Sequence, residues 1–171
     1  MVVKYASKFW LPGVAAVLVL AASHPASAAY NYRSIRQKAV ASCQAPLPVY
    51  DKQLRKRPGG IVNESSVPVY VACGLPTNVF ADTRQVDVQF TNLSNTPVTI
   101  VCTLATGDNT AGATSYVQSL MIPTASWSAI TFDALEYNDD QPFEDDAGLS
   151  CKLPPNVELN STGVTFYEWS N

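Results

Sequence analysis

From Ile61 onward, apolar and polar residues alternate with a period of two, and turn-forming residues interrupt the alternation. Val67, Val69, Val71 and Cys73 take turns with Pro68, Tyr70 and Ala72. Val86, Val88 and Phe90 do so with Asp87, Gln89 and Thr91, and Val98, Ile100, Cys102 and Leu104 with Thr99, Val101 and Thr103. Successive side chains of a strand point to opposite faces, so each stretch predicts a half-buried strand with one apolar face. Asp87 then faces outward. Pro68 belongs at a strand start or edge, because it has no N–H for a ladder bond. Weaker patterns predict strands at Ser115–Ile122, Trp127–Asp133, Leu149–Leu153 and Val164–Trp169, and a short one near Gly60–Asn63. The segments 92–97, 106–112 and 138–142 have turn and loop compositions. About eight strands at hairpin-like spacing predict an all-β fold, an antiparallel β-sandwich of immunoglobulin-like or jelly-roll-like type. A short helix over Arg33–Ser42 is the one helical expectation after the N-terminus.

The N-terminus differs from the rest. Lys4 and Lys8 precede an apolar run from Phe9 to Ala22, followed by Ser27-Ala28-Ala29. This order of basic, apolar and small residues predicts a signal peptide cut after Ala28. The run is shorter than the ~20 residues of a membrane span, and no second run follows. The exported chain is therefore expected to be secreted or periplasmic, without a membrane span once the signal is cleaved. Residues 1–28 are read as signal, 29–59 as a basic arm and 60–171 as the sandwich domain.

Charge separates the arm from the body. Residues 29–60 carry seven basic residues against Asp51 alone, and residues 61–171 carry Arg84 and Lys152 against thirteen acids. The balances are +6 and −11. A net acidic body argues against a nucleic-acid partner. The arm is expected to lie on its own body; the rival expectation is that it engages the acidic body of a neighbouring copy.

Four cysteines follow the signal, at Cys43, Cys73, Cys102 and Cys151. An even number in an exported chain predicts two disulfides. Zinc is disfavoured by the spacing and by the lack of histidine after His24. Strand phase turns Cys73, Cys102 and Cys151 inward. The preferred pairing is Cys102–Cys151 as a core bridge across the sandwich and Cys43–Cys73 as an arm staple, with the other two connectivities left open.

Catalytic chemistry is sparse. Without histidine or a free thiolate, the Ser-His-Asp and Cys-His arrangements are missing. A glycosidase-like pair of carboxylates is the remaining option, but most of the acids crowd into one segment, where solvation is the plainer explanation. No enzyme and no cofactor is expected. The acidic segment 133–146 supplies oxygen ligands for a weak calcium site, with Asp139, Asp140, Glu144, Asp145 and Asp146 as candidates. Its spacing is not that of an EF-hand, and a solvated loop is the plainer reading. Trp127, Trp169, Tyr116, Tyr137, Tyr167 and Phe166 could offer flat faces to sugar rings. Tyr167 and Trp169 share a strand face opposite Val164 and Phe166, so Tyr167, Trp169 and Trp127 are the ligand-binding candidates. Asn63-Glu-Ser65, Asn92-Leu-Ser94 and Asn160-Ser-Thr162 fit the N-glycosylation pattern.

The stretches Gly60-Ile-Val-Asn-Glu-Ser-Ser-Val-Pro-Val-Tyr-Val-Ala-Cys-Gly-Leu-Pro76, Val101-Cys-Thr-Leu104, Leu149-Ser-Cys-Lys-Leu-Pro-Pro155 and Gly163-Val-Thr-Phe-Tyr-Glu-Trp169 resemble a loose group of small exported bacterial proteins. The group is marked by V-x-C-x-L-P and L-x-C-x-L-P-P segments, and the likeness covers residues 60–169. It implies export and a β-sandwich, and no mechanism. The expected function is an exported, non-enzymatic module binding glycan or protein at the envelope or outside the cell. The alternative is a self-assembling surface subunit.

Overall fold

The alternating segments fold as the strands their phase requires. In the computed structural model the described residues are 29–76, 81–107, 112–144 and 146–170, so the expected signal peptide lies outside them. Eight body strands run in order: β4 (Ile61–Asn63), β5 (Val69–Gly74), β6 (Ala81–Asn92), β7 (Val98–Thr106), β8 (Thr114–Ile122), β9 (Trp127–Asp133), β10 (Gly148–Leu153) and β11 (Val157–Ser170). They pair antiparallel as β4 with β11, β5 with β10, β6 with β9 and β7 with β8. This nested pairing rolls into two sheets, with body orders β4-β11-β6-β9 and β5-β10-β7-β8. That is the jelly-roll order, which decides between the two expected sandwich types. Val86, Val88, Phe90, Ile100, Leu104, Phe132, Leu153 and Val164 fill the space between the sheets, all fully buried. Val67 is the exception to its phase: it falls in the turn before β5 and is exposed.

The arm is not the short helix expected over Arg33–Ser42. It supplies β1 (Ala29–Lys38), β2 (Cys43–Gln44) and β3 (Leu54–Lys56), with one α-helical turn, α1 (Ala39–Ser42), and a 3-10 turn at Pro48–Tyr50. β1 pairs with β11 along its whole length, from Ala29 opposite Ser170 to Lys38 opposite Ser161. β2 extends one sheet through β5, and β3 extends the other through β4. The cause is tertiary: the long free edge of β11 has backbone groups to satisfy, and an extended β1 satisfies them where a helix would not.

Arm and body charges meet within the chain. Arg33 pairs with Glu168 at 2.6 Å and Arg36 with Asp87 at 2.8 Å, while Arg55 and Arg57 both reach Glu64. Arg36, Gly163 and Asp87 are register partners across β1, β11 and β6. With no side chain at Gly163, Arg36 can reach over it, and a Cβ there would stand 2.5 Å from Asp87 Oδ1. Asp87 thus lies on the outward face, as expected, yet is buried beneath the arm.

The disulfides join Cys43 to Cys73 and Cys102 to Cys151. The second does not cross the sandwich. Cys102 and Cys151 are register partners in adjacent strands of one sheet, as are Cys43 and Cys73. Facing residues in neighbouring strands lie within ~5.5 Å, inside the reach of a disulfide without drawing the two sheets together from their usual ~10 Å.

Two of the three glycosylation patterns are corner posts. Asn63 Nδ2 donates to Val67 O and Leu153 O, and its Oδ1 accepts from Ser65 N and Oγ. Asn92 repeats the device, donating to Thr96 O, Ile122 O and Pro123 O and accepting from Ser94 N and Oγ. Both asparagines are fully buried, at β4–β5 and β6–β7, where the chain passes from one sheet to the other. The N-x-S pattern there encodes a turn, and neither amide is open to a glycan.

Candidate functional site

A β-bulge builds the site. Gln85 pairs with Thr165, but Thr83 pairs with Phe166, so Arg84 is an extra residue in β6. Strict alternation with Val86 and Val88 would turn Arg84 inward. The bulge frees it from that phase, and both Arg84 and Gln85 line the outer surface beside Tyr167. β1 adds Tyr32 opposite Tyr167, and β9 adds Asp133 opposite Gln85. The helical turn α2 (Ala134–Tyr137) closes one side. The result is a hollow of about 290 Å³ on the outer face of the six-stranded sheet, lined by Tyr32, Arg84, Gln85, Asp133, Asp140 and Tyr167, with Ala134 and Leu135 at its margin.

Its parts are held in place. The Arg84 guanidinium carbon lies 5.5 Å from the Tyr167 ring centroid, a cation–π distance. Arg84 Nη1 donates to Asp140 Oδ1 at 2.9 Å and to the Asp140 carbonyl. Tyr32 stands edge-on to Tyr167 with centroids 5.7 Å apart. Asp133 Oδ1 accepts from Leu135 N at 2.9 Å, capping α2. Tyr32 is 63% exposed, so its ring is open at the surface.

Of the sugar-stacking candidates, Tyr167 lies in the hollow. Trp127 is 71% exposed but lies opposite Thr91, at the far end of the sheet from Asp82, which faces Tyr167. At ~3.3 Å per residue these rows are roughly 30 Å apart, so one hollow cannot include both. The Trp169 backbone pairs with Tyr30, and its side chain is outside the described residues. Phe166 is core. Tyr116 and Tyr137 pack with Phe132 and Phe143, and Tyr116 Oη donates to Asn138 Oδ1. Burial, helped by Glu136, pushes the Tyr137 hydroxyl pKa up.

The candidate calcium ligands are not gathered. Asp140 turns to Arg84 and Glu144 toward Gly107, while Asp145 lies outside the described residues. Asp139 and Asp140, side by side in one turn, and Asp146 further along the loop have positive φ angles. Among the described residues no group of three metal-ligating side chains forms.

Sequence reasoning missed Tyr32, Arg84, Gln85 and Asp133 as site residues. One signal was present: an arginine at an inward phase of an otherwise apolar strand face marks a bulge. A second hollow of about 320 Å³ lies between the arm and β4, lined by Gln44, Asp51, Leu54, Lys56 and Ile61, and it has no aromatic face. The outer face of the five-stranded sheet exposes Tyr70, Val101, Val117 and Met121, with Lys152 over the Tyr70 ring. Among the described residues no helix is long and apolar enough to cross a membrane.

No protein-family model and no curated protein matches the chain. Solved structures of similar shape include a GH26-CBM35 β-(1,4)-mannanase of Podospora anserina, at 7% identity and a TM-score of 0.46. That likeness covers 81% of this chain and 28% of the mannanase chain. The coat protein of Tobacco streak virus matches at 12% identity and 0.41, covering 82% and 88%. A family 11 carbohydrate-binding module of Clostridium thermocellum matches at 13% identity and 0.38, covering 82% and 87%. At these scores the likenesses assign neither ligand nor site to this chain.

Proposed function

We propose that this chain is a non-enzymatic glycan-binding module acting outside the reducing cytoplasm, with the tyrosine-lined hollow as its binding site. The observation that carries the reading is the juxtaposition of an open Tyr32 ring with the planar polar groups of Gln85, Asp133 and Arg84. A pyranose has apolar C–H faces and a rim of hydroxyls. An aromatic face covers the former, and carboxylate, amide and guanidinium groups bond the latter in pairs. The two disulfides agree with an oxidising compartment. The absence of histidine after residue 24 keeps the commonest acid–base catalyst out of the exported chain. Self-assembly through the arm is the weaker reading, because four of the arm's arginines are already engaged by carboxylates of their own body.

The test is a glycan array with residues 29–171, followed by titration of the best oligosaccharide into wild type and Tyr32→Ala. Tyr32 is an exposed edge residue, so its loss leaves the core intact. We expect at least a tenfold loss of affinity. Silence across the array, or unchanged binding by Tyr32→Ala, would overturn the proposal.

A further inference from the structure

We propose that the hollow selects glycans carrying a free amine, with the Asp133 carboxylate receiving the ammonium group. This rests on the glycan reading above and deepens it. The charged groups lining the hollow are Arg84, Asp133 and Asp140. Arg84 is committed to Asp140, so these two cancel. Asp133 has no cationic partner among the described residues; its Oδ1 holds the Leu135 N–H, and its second oxygen is not used by the cap. Asp82, the register partner of Tyr167, adds another acid on the same face of the sheet. The nearest arm cations are engaged elsewhere, Arg33 by Glu168 and Arg36 by Asp87.

The hollow therefore holds one carboxylate more than its cations balance. A uronate or sulfated sugar would bring its anion against that carboxylate. A neutral sugar would offer it only hydroxyl donors. A hexosamine with an unacetylated nitrogen would offer an ammonium, which forms a charge-assisted hydrogen bond with the carboxylate. Acetylation removes the charge and adds bulk at that point.

The experiment titrates residues 29–171 with glucosamine oligomers, their N-acetylated counterparts and galacturonate oligomers, in wild type and Asp133→Asn. Asparagine caps a helix about as well as aspartate, so this variant keeps α2 and removes only the charge. The expected result is at least tenfold tighter binding of the free amine form, falling with added salt and abolished in Asp133→Asn, while acetylated oligomers bind both proteins alike. Preference for galacturonate, or a preference for the amine that survives Asp133→Asn, overturns the selectivity and leaves a glycan site standing. No binding of any of the three, together with a silent array, overturns the site itself.

Discussion

Replacing Asn92 with alanine removes five hydrogen bonds made by one fully buried side chain. Its amide donates to the carbonyls of Thr96, Ile122 and Pro123, and its oxygen accepts from the backbone and hydroxyl of Ser94. Alanine returns none of these, and of the partners left behind the fully buried Ile122 is the one shielded from water. A buried polar group left unpaired costs about 1–3 kcal/mol. The Ile122 bond is itself buried, and the others are part-buried. One full penalty and a fraction of the rest give a loss of about 3–5 kcal/mol, a large share of the ~5–15 kcal/mol that holds a typical domain. Urea unfolding with both disulfides intact measures it, with Asn95→Ala in the same turn as the exposed control. The midpoint should drop with little change in slope. A loss below about 1 kcal/mol, or one matched by Asn95→Ala, would refute the idea that this asparagine holds the crossover between the sheets.

Other consequences can be checked alongside. Removing the Cys43–Cys73 pair reopens a loop spanning 30 residues and should cost about 3.5 kcal/mol by chain entropy, with amide exchange rising first along β1. Gly163→Ala drives a methyl into the Asp87 carboxylate and should cost about 1–3 kcal/mol by thermal unfolding, with the Arg36 pair disturbed. Hydrogen bonding from Arg57, with the added charge of Arg55, holds the Glu64 carboxyl below its usual pKa near 4.5 against an opposing desolvation effect. Its folded-state pKa is depressed, so its stabilisation is present above the unfolded value and is lost as pH falls through the folded one. Glu64→Gln should accordingly flatten the stability profile below about pH 4.5; an unchanged acid limb would contradict the pairing.

The body strands were legible because their own residues carry the signal. Val86, Val88 and Phe90 must leave water, and that fixes both strand and face. The arm was not legible, because β1 owes its conformation to the edge of β11: Arg33, Ser34 and Arg36 are exposed, and burial imposes no period on them. The inward phase of Cys102 and Cys151 could be read, but not whether they face each other within a sheet or across the core, because phase fixes the face and not the neighbour. The site shows the same division. Tyr167 and Trp127 stood out as aromatics of expected strands. Tyr32, Arg84, Gln85 and Asp133 come together only through the register of β1, β11, β6 and β9 and a one-residue bulge, neither of which alternation specifies.

The central claim is that one face of one sheet binds sugar at the Tyr32–Tyr167 hollow. Amide chemical-shift mapping of isotopically labelled protein during titration with the best oligosaccharide tests it most directly. The account predicts saturable shifts confined to the neighbourhoods of Tyr32, Arg84, Gln85, Asp133 and Tyr167. Shifts centred instead on Val101, Val117 and Met121 of the opposite sheet, or no saturable shifts, would contradict it.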